Sequence, residues 1–412
     1  MKQKMITAFA VGSYGDVEPF IFLGKELKRR GHAFKIVTFP DHQKRILDNG
    51  LQYGYLHGSL EEMTRRLLSE SGGASESLRG LKDILEKTEH LYEDFYESCK
   101  EADVVIYMQF GALAYHFAEK FNKTCVRTFV FPYDPTSQYS AMFPEIKDKT
   151  LICRLTYIMC DVMMNIASLK TVKRWRKQLG LSSWHLFRFY KKRNKKRITT
   201  IYQYSGVLAP ADKKWGDDIH LTGIWADTMK SDYTPAKELI DFLNRGDLPI
   251  YIGFGSMVYG KMNELQHMIA AALKILNIRA VYVGRQDDQY VGGEHIYCSE
   301  FIPFDWLFPR VRAVVHHGGC GTTHLGLKYG RPTAILAFGG DQMFWGKRIA
   351  VIGAGPMPLY VNRGEVTVDS LIEKFSDLLN NDYDSSAVKA GAKISRERGV
   401  TAAADIVEEH LR

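Results

Sequence analysis

The six cysteines of this 412-residue chain, Cys99, Cys125, Cys153, Cys160, Cys298 and Cys320, include no Cys-x-x-Cys pair and no metal-ligand spacing. Zinc ribbons and dithiol redox motifs are thereby excluded, no bound metal is expected, and the thiols should be reduced and mostly small core residues. Long apolar runs are also lacking. The most apolar windows, Met5 to Val11 and Ala102 to Met108, fall far short of the roughly 20 residues that cross a bilayer, so no spanning segment is expected. The opening Met-Lys-Gln-Lys leads straight into a strand-like run without the apolar core and cleavage site of a signal peptide, and cytoplasmic localisation is expected. Acidic residues are absent between Asp161 and Asp212, where twelve Lys and Arg occur against a net charge of +8 for the whole chain. The remainder is net acidic, so a local basic patch and not a global field needs a cause.

What is present is ordinary globular composition, 45% hydrophobic and 25% charged, in a length that suits two domains. Strand-like runs alternate with helical ones. Met5 to Val11 precedes a Gly12 to Gly15 turn; Val17, Phe20, Ile21 and Leu27 then follow helical spacing up to Gly31, and Ala33 to Phe39 is strand-like again. Further runs at Asp103 to Met108, Thr124 to Phe131 and Ile201 to Leu208 predict an α/β domain with a parallel sheet covered on both faces. A second series begins at Pro249 to Phe254 and continues through Ala280 to Val283, His295 to Ile302, Arg312 to His316 and Pro332 to Phe338. The expected division is residues 1–225, a linker at 226–235 where Asp, Thr, Ser and Pro accumulate, a second domain at 236–395 and a terminal helix within 396–412.

The densest chemical signal is His316-His317-Gly318-Gly319-Cys320-Gly321-Thr322-Thr323, which follows an apolar strand and opens a helical run. Glycines let backbone N–H groups approach an anion, and the start of a helix favours a phosphate. The competing structural reading is a tight strand-to-helix turn. After the next strand stands Gly339-Gly340-Asp341-Gln342. A carboxylate accepts hydrogen bonds while a carboxamide both donates and accepts, a pairing that suits vicinal sugar hydroxyls; the alternative is an Asp that caps the following helix. Gly253-Phe254-Gly255-Ser256 offers another backbone and hydroxyl contact to phosphate. Gly12-Ser13-Tyr14-Gly15-Asp16 occupies the equivalent place in the first domain, but it is not Gly-x-Gly-x-x-Gly, and a nicotinamide site is disfavoured.

The runs His316 to Thr323 and Phe338 to Gly346, with the opening Gly-Ser-x-Gly-Asp-Val-x-Pro-Phe at residues 12–20, resemble the family 1 glycosyltransferases. Within these the chain is most similar to sterol glucosyltransferases and to bacterial enzymes that act on macrolides and glycopeptides. The resemblance implies the GT-B architecture: two facing Rossmann-like domains with an interdomain cleft, nucleotide in the second and acceptor in the first. It places His316, Gly318, Gly319, Gly321 and Thr322 on the donor diphosphate, with Ser256 as a further phosphate contact. It also places Asp341 and Gln342 on the sugar, and Phe301 and Ile302 on the stretch that holds the base. Asp16 falls on the general base, Thr401 to Leu411 on a helix that returns to the first domain, and Met142, Phe143 and Met163 in the region that lines the acceptor pocket. The implied reaction is inverting transfer of a hexose, glucose from UDP-glucose, to a hydroxyl of a hydrophobic acceptor: sterol-like, polyketide or lipid. UDP-sugar is then a co-substrate, and no cofactor is required.

Flexible apolar residues beside the 170–197 basic stretch suit a bulky apolar acceptor or peripheral contact with an anionic membrane; a solvated amphipathic helix is the plainer alternative. Nucleic-acid binding is not expected, because no recognition motif accompanies the charge. Sugar-nucleotide 2-epimerases share the implied architecture, and a non-catalytic sugar-nucleotide sensor is a third reading. An epimerase would need no acceptor, and a sensor would not need Asp16.

Overall fold

The computed structural model describes residues 3–59, 74–87, 90–143, 145–188, 190, 192–193, 196–226, 232–255, 257, 259–284, 294–380 and 382–411. The chain divides into two compact units. One comprises Met1–Gly206, Ala211–Ala226 and Arg398–Arg412; the other comprises Val207–Pro210 and Asp227–Glu397.

The first unit is built on strands β1 (Met5–Phe9), β2 (Ala33–Thr38), β3 (Gln52–Tyr55), β4 (Val104–Tyr107), β5 (Thr124–Phe129), β8 (Thr199–Tyr202) and β9 (Ile219–Leu221). A small antiparallel pair, β6 (Lys192–Arg193) and β7 (Lys196–Arg197), stands apart from that sheet. The seven strands run parallel in the order β3-β2-β1-β4-β5-β8-β9. Parallel neighbours need crossover connections, and helices on both faces explain why all four residues of β4 are buried. The Tyr14–Arg29 helix buries Val17, Phe20, Ile21, Leu23, Gly24 and Leu27. Gly24 is required there because a Cβ would stand 2.6 Å from the ring of Phe34.

The second unit has strands β10 (Ile250–Gly253), β11 (Ala280–Val283), β12 (Ile296–Ser299), β13 (Val314–His316), β14 (Thr333–Ala337) and β15 (Leu359–Tyr360). They are parallel, in the order β12-β11-β10-β13-β14-β15. In each sheet the first strand is flanked by its second and fourth, so successive crossovers depart in opposite directions from that point. Ligands in such sheets bind at this switch, outside the carboxyl ends of the strands. The candidate residues sit there in the second unit, between β10 and β13, where Gly253 is the register partner of His316.

One stretch belongs elsewhere than a linear division at residue 225 implies. Val207–Pro210 joins the second unit, where the Leu208 carbonyl accepts a 2.6 Å hydrogen bond from Nε of Arg348. The Val400–Glu409 helix, within the stretch the resemblance assigns to the first domain, buries Ala403, Ala404 and Val407 in the core of the first unit, with Ile21, Leu27 and Trp225. Arg30 secures it, with 2.8 Å contacts to Asp405 and Glu408 and a third to Glu26.

A 28-residue helix, Leu151–Gln178, corrects the expectation that no segment has membrane-spanning length and composition: among the described residues it alone has both. Periodicity hides it, because one face is polar and buried. Asp161, Asn165 and Arg176 are at most 8% exposed. Nδ2 of Asn165 donates to the carbonyls of Leu186 and Arg188, and Arg176 donates to Glu119 and to the Ser182 carbonyl. The basic stretch is therefore not uniformly a solvated face. Arg176 is fully buried, Arg188 lies 4.7 Å over the Trp184 ring, and Arg197 pairs with Asp218; Lys191 and Lys195 lie outside the described residues.

The terminal helix closes the hydrophobic face around Ile21 and Leu27, so truncation at its centre should be felt by the whole first unit. Val407→Ala is expected to lower unfolding stability by about 2 kcal/mol, read from urea denaturation. An unchanged midpoint would show that the helix is not part of that core.

Candidate active site

Each part of the candidate donor site follows a strand of the second unit. His316 ends β13 and is completely buried. Its Nδ1 accepts the Gly318 N–H at 3.0 Å, which leaves the proton on Nε2; that buried N–H has no partner among the described residues. Burial, and secondarily the neighbouring His317, holds the imidazole well below its ordinary pKa. The ring is thus a neutral donor aimed from the strand end. An unpaired buried donor is costly unless a ligand supplies an acceptor.

Gly318 has φ +94°, and a Cβ there would come within 2.8 Å of Ile335 and 3.0 Å of Gln342. Gly319 is the N-cap of the Cys320–Lys328 helix. Gly321 is exposed with open space around it, and Thr322 is half-buried. Thr323 instead serves the turn, its hydroxyl donating to the Gly319 carbonyl at 2.9 Å. The motif is a tight turn whose exposed edge presents N–H groups at the start of a helix, an arrangement that could receive an anion.

His317 was not singled out by sequence. A Cβ on Gly319 would meet its ring at 2.6 Å and one on Gly255 at 3.2 Å, so the two glycines make room for it beside β10. Desolvation pushes its pKa down to about 4, against an opposing hydrogen bond with Gly253. His324, at about 4 for the same first cause, is a core residue: Nδ1 is hydrogen-bonded to the Cys320 carbonyl, and the ring stands edge-on to Trp345.

Asp341 occupies the N-cap position of the Gln342–Val351 helix but makes no side-chain cap. Its Oδ2 accepts from the indole N–H of Trp345 at 2.8 Å. Gln342 is 9% exposed, and its Oε1 accepts the backbone N–H groups of Phe338 and Gly339 at 2.6 and 3.2 Å; Nε2 faces the Met257 sulfur at 3.5 Å. The carboxamide oxygen is committed to bracing its loop, so the amide end is what it can offer a ligand. Phe301 is 67% exposed, free to stack on a planar group. The Ile302 side chain, at 1% exposure, is core, and only its backbone could touch a ligand. Ser256 lies outside the described residues. Among the described residues no cluster of three His, Cys, Asp or Glu could hold a metal.

In the first unit Asp16 follows the switch strand β1. Its Oδ2 accepts the Ser13 N–H at 2.7 Å and the Ser13 hydroxyl at 2.9 Å, forming a capping box at the start of the Tyr14–Arg29 helix. The sequence alternative to a catalytic base, an Asp that caps the following helix, thus has a structural counterpart in this contact with Ser13. No described hydrogen bond reaches Oδ1. Desolvation raises the carboxyl above its ordinary pKa, against the lowering pull of the two Ser13 contacts. Gly12 is needed for space, since a Cβ would collide with Oδ2 at 2.2 Å, and its carbonyl is held by Nε2 of His42 at 3.1 Å. Met142, Phe143 and Met163 are half-buried.

Comparison with known proteins agrees with this geometry. Residues 6–139 match the glycosyltransferase family 28 N-terminal domain, and residues 284–405 match the erythromycin biosynthesis protein CIII-like C-terminal domain. Two sterol 3-beta-glucosyltransferases of Arabidopsis thaliana are 29% and 30% identical over 98% of this chain; the match spans 68% and 65% of their own length. The crystal structure of the glycotransferase of kitacinnamycin superposes over 100% of both chains with a TM-score of 0.73 at 15% identity, which establishes the shared GT-B fold.

The strained, crowded position of Gly318 makes it the sharpest probe of the cradle. Gly318→Ala should weaken nucleoside diphosphate binding by at least about tenfold, read by titration calorimetry, with about 1–3 kcal/mol of backbone strain visible in thermal unfolding. Full affinity in a destabilised variant would remove the cradle assignment.

Proposed function

The chain belongs to the family 1 glycosyltransferases, and from that we propose that it transfers glucose from UDP-glucose, with inversion, to a hydroxyl of a sterol-like acceptor. The observation that carries this reading is the neutral, fully buried His316, whose Nε2–H lacks a protein partner at the switch point of the second sheet. A diphosphate oxygen would satisfy it, while the N–H groups at the start of the Cys320–Lys328 helix would take the remaining charge as the nucleotide leaves. Fixed dipoles of this kind need no protonation change during the reaction.

Asp16 is the group we assign to the acceptor. Its carboxylate would take the acceptor hydroxyl proton as that oxygen attacks the anomeric carbon, and the bond from that carbon to the diphosphate breaks on the opposite face. One oxygen is occupied by Ser13, and Oδ1 would receive the proton. Asp341 and the amide of Gln342 would hold sugar hydroxyls, and Phe301 would stack on the base. Met142, Phe143 and Met163 would line the acceptor pocket. The sterol-like acceptor and the glucosyl group rest on the names of the Arabidopsis relatives.

UDP release with UDP-glucose and a panel of hydroxylated apolar compounds tests the reaction itself. Asp16→Asn should reduce turnover by about 100-fold or more while UDP affinity is retained; unchanged turnover would reject the base. The wild-type rate should fall on acidification through a pKa above that of an ordinary aspartate, because the base must be ionised and burial favours its protonated form. An acid limb at or below the ordinary aspartate value would contradict the assignment. Gln342→Ala removes the amide donors without adding a charge, at the cost of the acceptor for the Phe338 and Gly339 N–H groups. It should weaken UDP-glucose while sparing UDP; equal loss of both would place Gln342 outside the sugar site.

A further inference from the structure

The Leu151–Gln178 helix exposes two chemically different surfaces along its length. In its first part Leu151, Ile152, Leu155, Ile158, Met159 and Ile166 are solvent-exposed, Leu151 and Leu155 to 75% and 61%. Steps of three, four and seven residues place them on one side, opposite the buried Cys153, Thr156, Tyr157 and Asp161. An apolar row of this kind on a folded surface, here with the exposed Arg154 at its edge, marks an interaction site. In the second part the exposed residues include Lys170, Lys173, Arg174 and Lys177. Lys170 reaches Glu86 at 3.5 Å but remains 80% exposed. The only acidic residue of the helix, Asp161, is buried, so within the helix itself no acidic residue stands among these cations.

The partner that complements an apolar row continued by cations is a surface whose interior is hydrocarbon and whose edge is negative. We propose that this helix docks the protein on an anionic lipid bilayer, lying in the interface with the Leu151 to Ile166 row among the acyl chains and the Lys170 to Lys177 group on the headgroups. Its length and composition would also permit spanning, but its other face does not. Asn165 donates to the Leu186 and Arg188 carbonyls, and Arg176 to Ser182 and Glu119. Pulling the helix into hydrocarbon would strip these buried polar groups of their partners. The site thus shifts from the basic 170–197 stretch as a whole, whose Arg176, Arg188 and Arg197 are engaged within the fold, to one helix face. The purpose of docking rests on the proposed function, since an acceptor that partitions into bilayers would be met there; the binding itself requires neither donor nor acceptor.

Co-sedimentation with vesicles of phosphatidylcholine, with and without phosphatidylserine, tests the proposal. Wild-type protein should bind the anionic vesicles more tightly, and added salt should weaken binding. Lys173→Gln with Arg174→Gln should reduce affinity by about fivefold for each charge removed, and Leu155→Ser with Ile158→Ser at least tenfold. All four positions are exposed, and circular dichroism checks the fold of each pair; the Gln pair stands as the test if the Ser pair loses helix. Absence of wild-type binding, or binding unchanged in both pairs, overturns the proposal. So does a wild-type dimer that the Ser pair converts to monomer, which would make the row a protein interface. Turnover of a detergent-solubilised acceptor separates the two readings. If wild-type protein binds vesicles but transfers no sugar in detergent, docking stands and the proposed reaction fails.

Discussion

The candidate donor site is organised around one buried imidazole that burial keeps neutral. Among the described residues no carboxylate compensates a charge on His316, and burial disfavours the imidazolium, so its hydrogen bonds define what it can do. The Gly318 N–H occupies Nδ1 and fixes the tautomer. That contact requires a left-handed turn with no side chain, because Gln342 and Ile335 fill the space a Cβ would take. Gln342 in turn holds the backbone after β14, Asp341 is held by Trp345, and Trp345 stands against His324, whose ring nitrogen is tied to Cys320 in the cradle helix. The two candidate elements, 316–323 and 339–342, are therefore linked within the second unit by a series of contacts.

Asp16 shows that a structural and a catalytic reading of one residue need not compete. A carboxylate has two oxygens. Oδ2 completes the capping box with Ser13, which orders the loop and the first turn of the helix, while no described bond reaches Oδ1. Capping lowers the carboxyl pKa and desolvation raises it; desolvation is the larger effect. The same residue is thus positioned by its structural role and made more basic by its surroundings.

Much of the fold was legible because parallel strands covered on both faces read as short apolar runs, and turns between strand and helix concentrate glycine. The 316–323 and 339–342 runs were visible for that reason. The individual commitments inside them were not. Thr323 serves the backbone, the oxygen of Gln342 braces its own loop, and Ile302 is core, yet nothing in composition separates these from Thr322, Asp341 or Phe301. His317 gains its place partly from Gly255, and His42 from the Gly12 carbonyl, both near in space but distant in sequence.

Sequence by itself determined the two α/β series, the glycine-rich cradle and the acidic residue after the first strand, since each depends on local backbone geometry and short-range spacing. Only tertiary structure decided how the long helix divides its faces. Its buried side carries Asp161, Asn165 and Arg176, of which Asn165 reaches Leu186 and Arg176 reaches Glu119, and this defeats both an apolar-run count and a charge count. Tertiary packing likewise assigned Val207–Pro210 to the second unit, because a buried arginine needs a carbonyl wherever in the chain it lies.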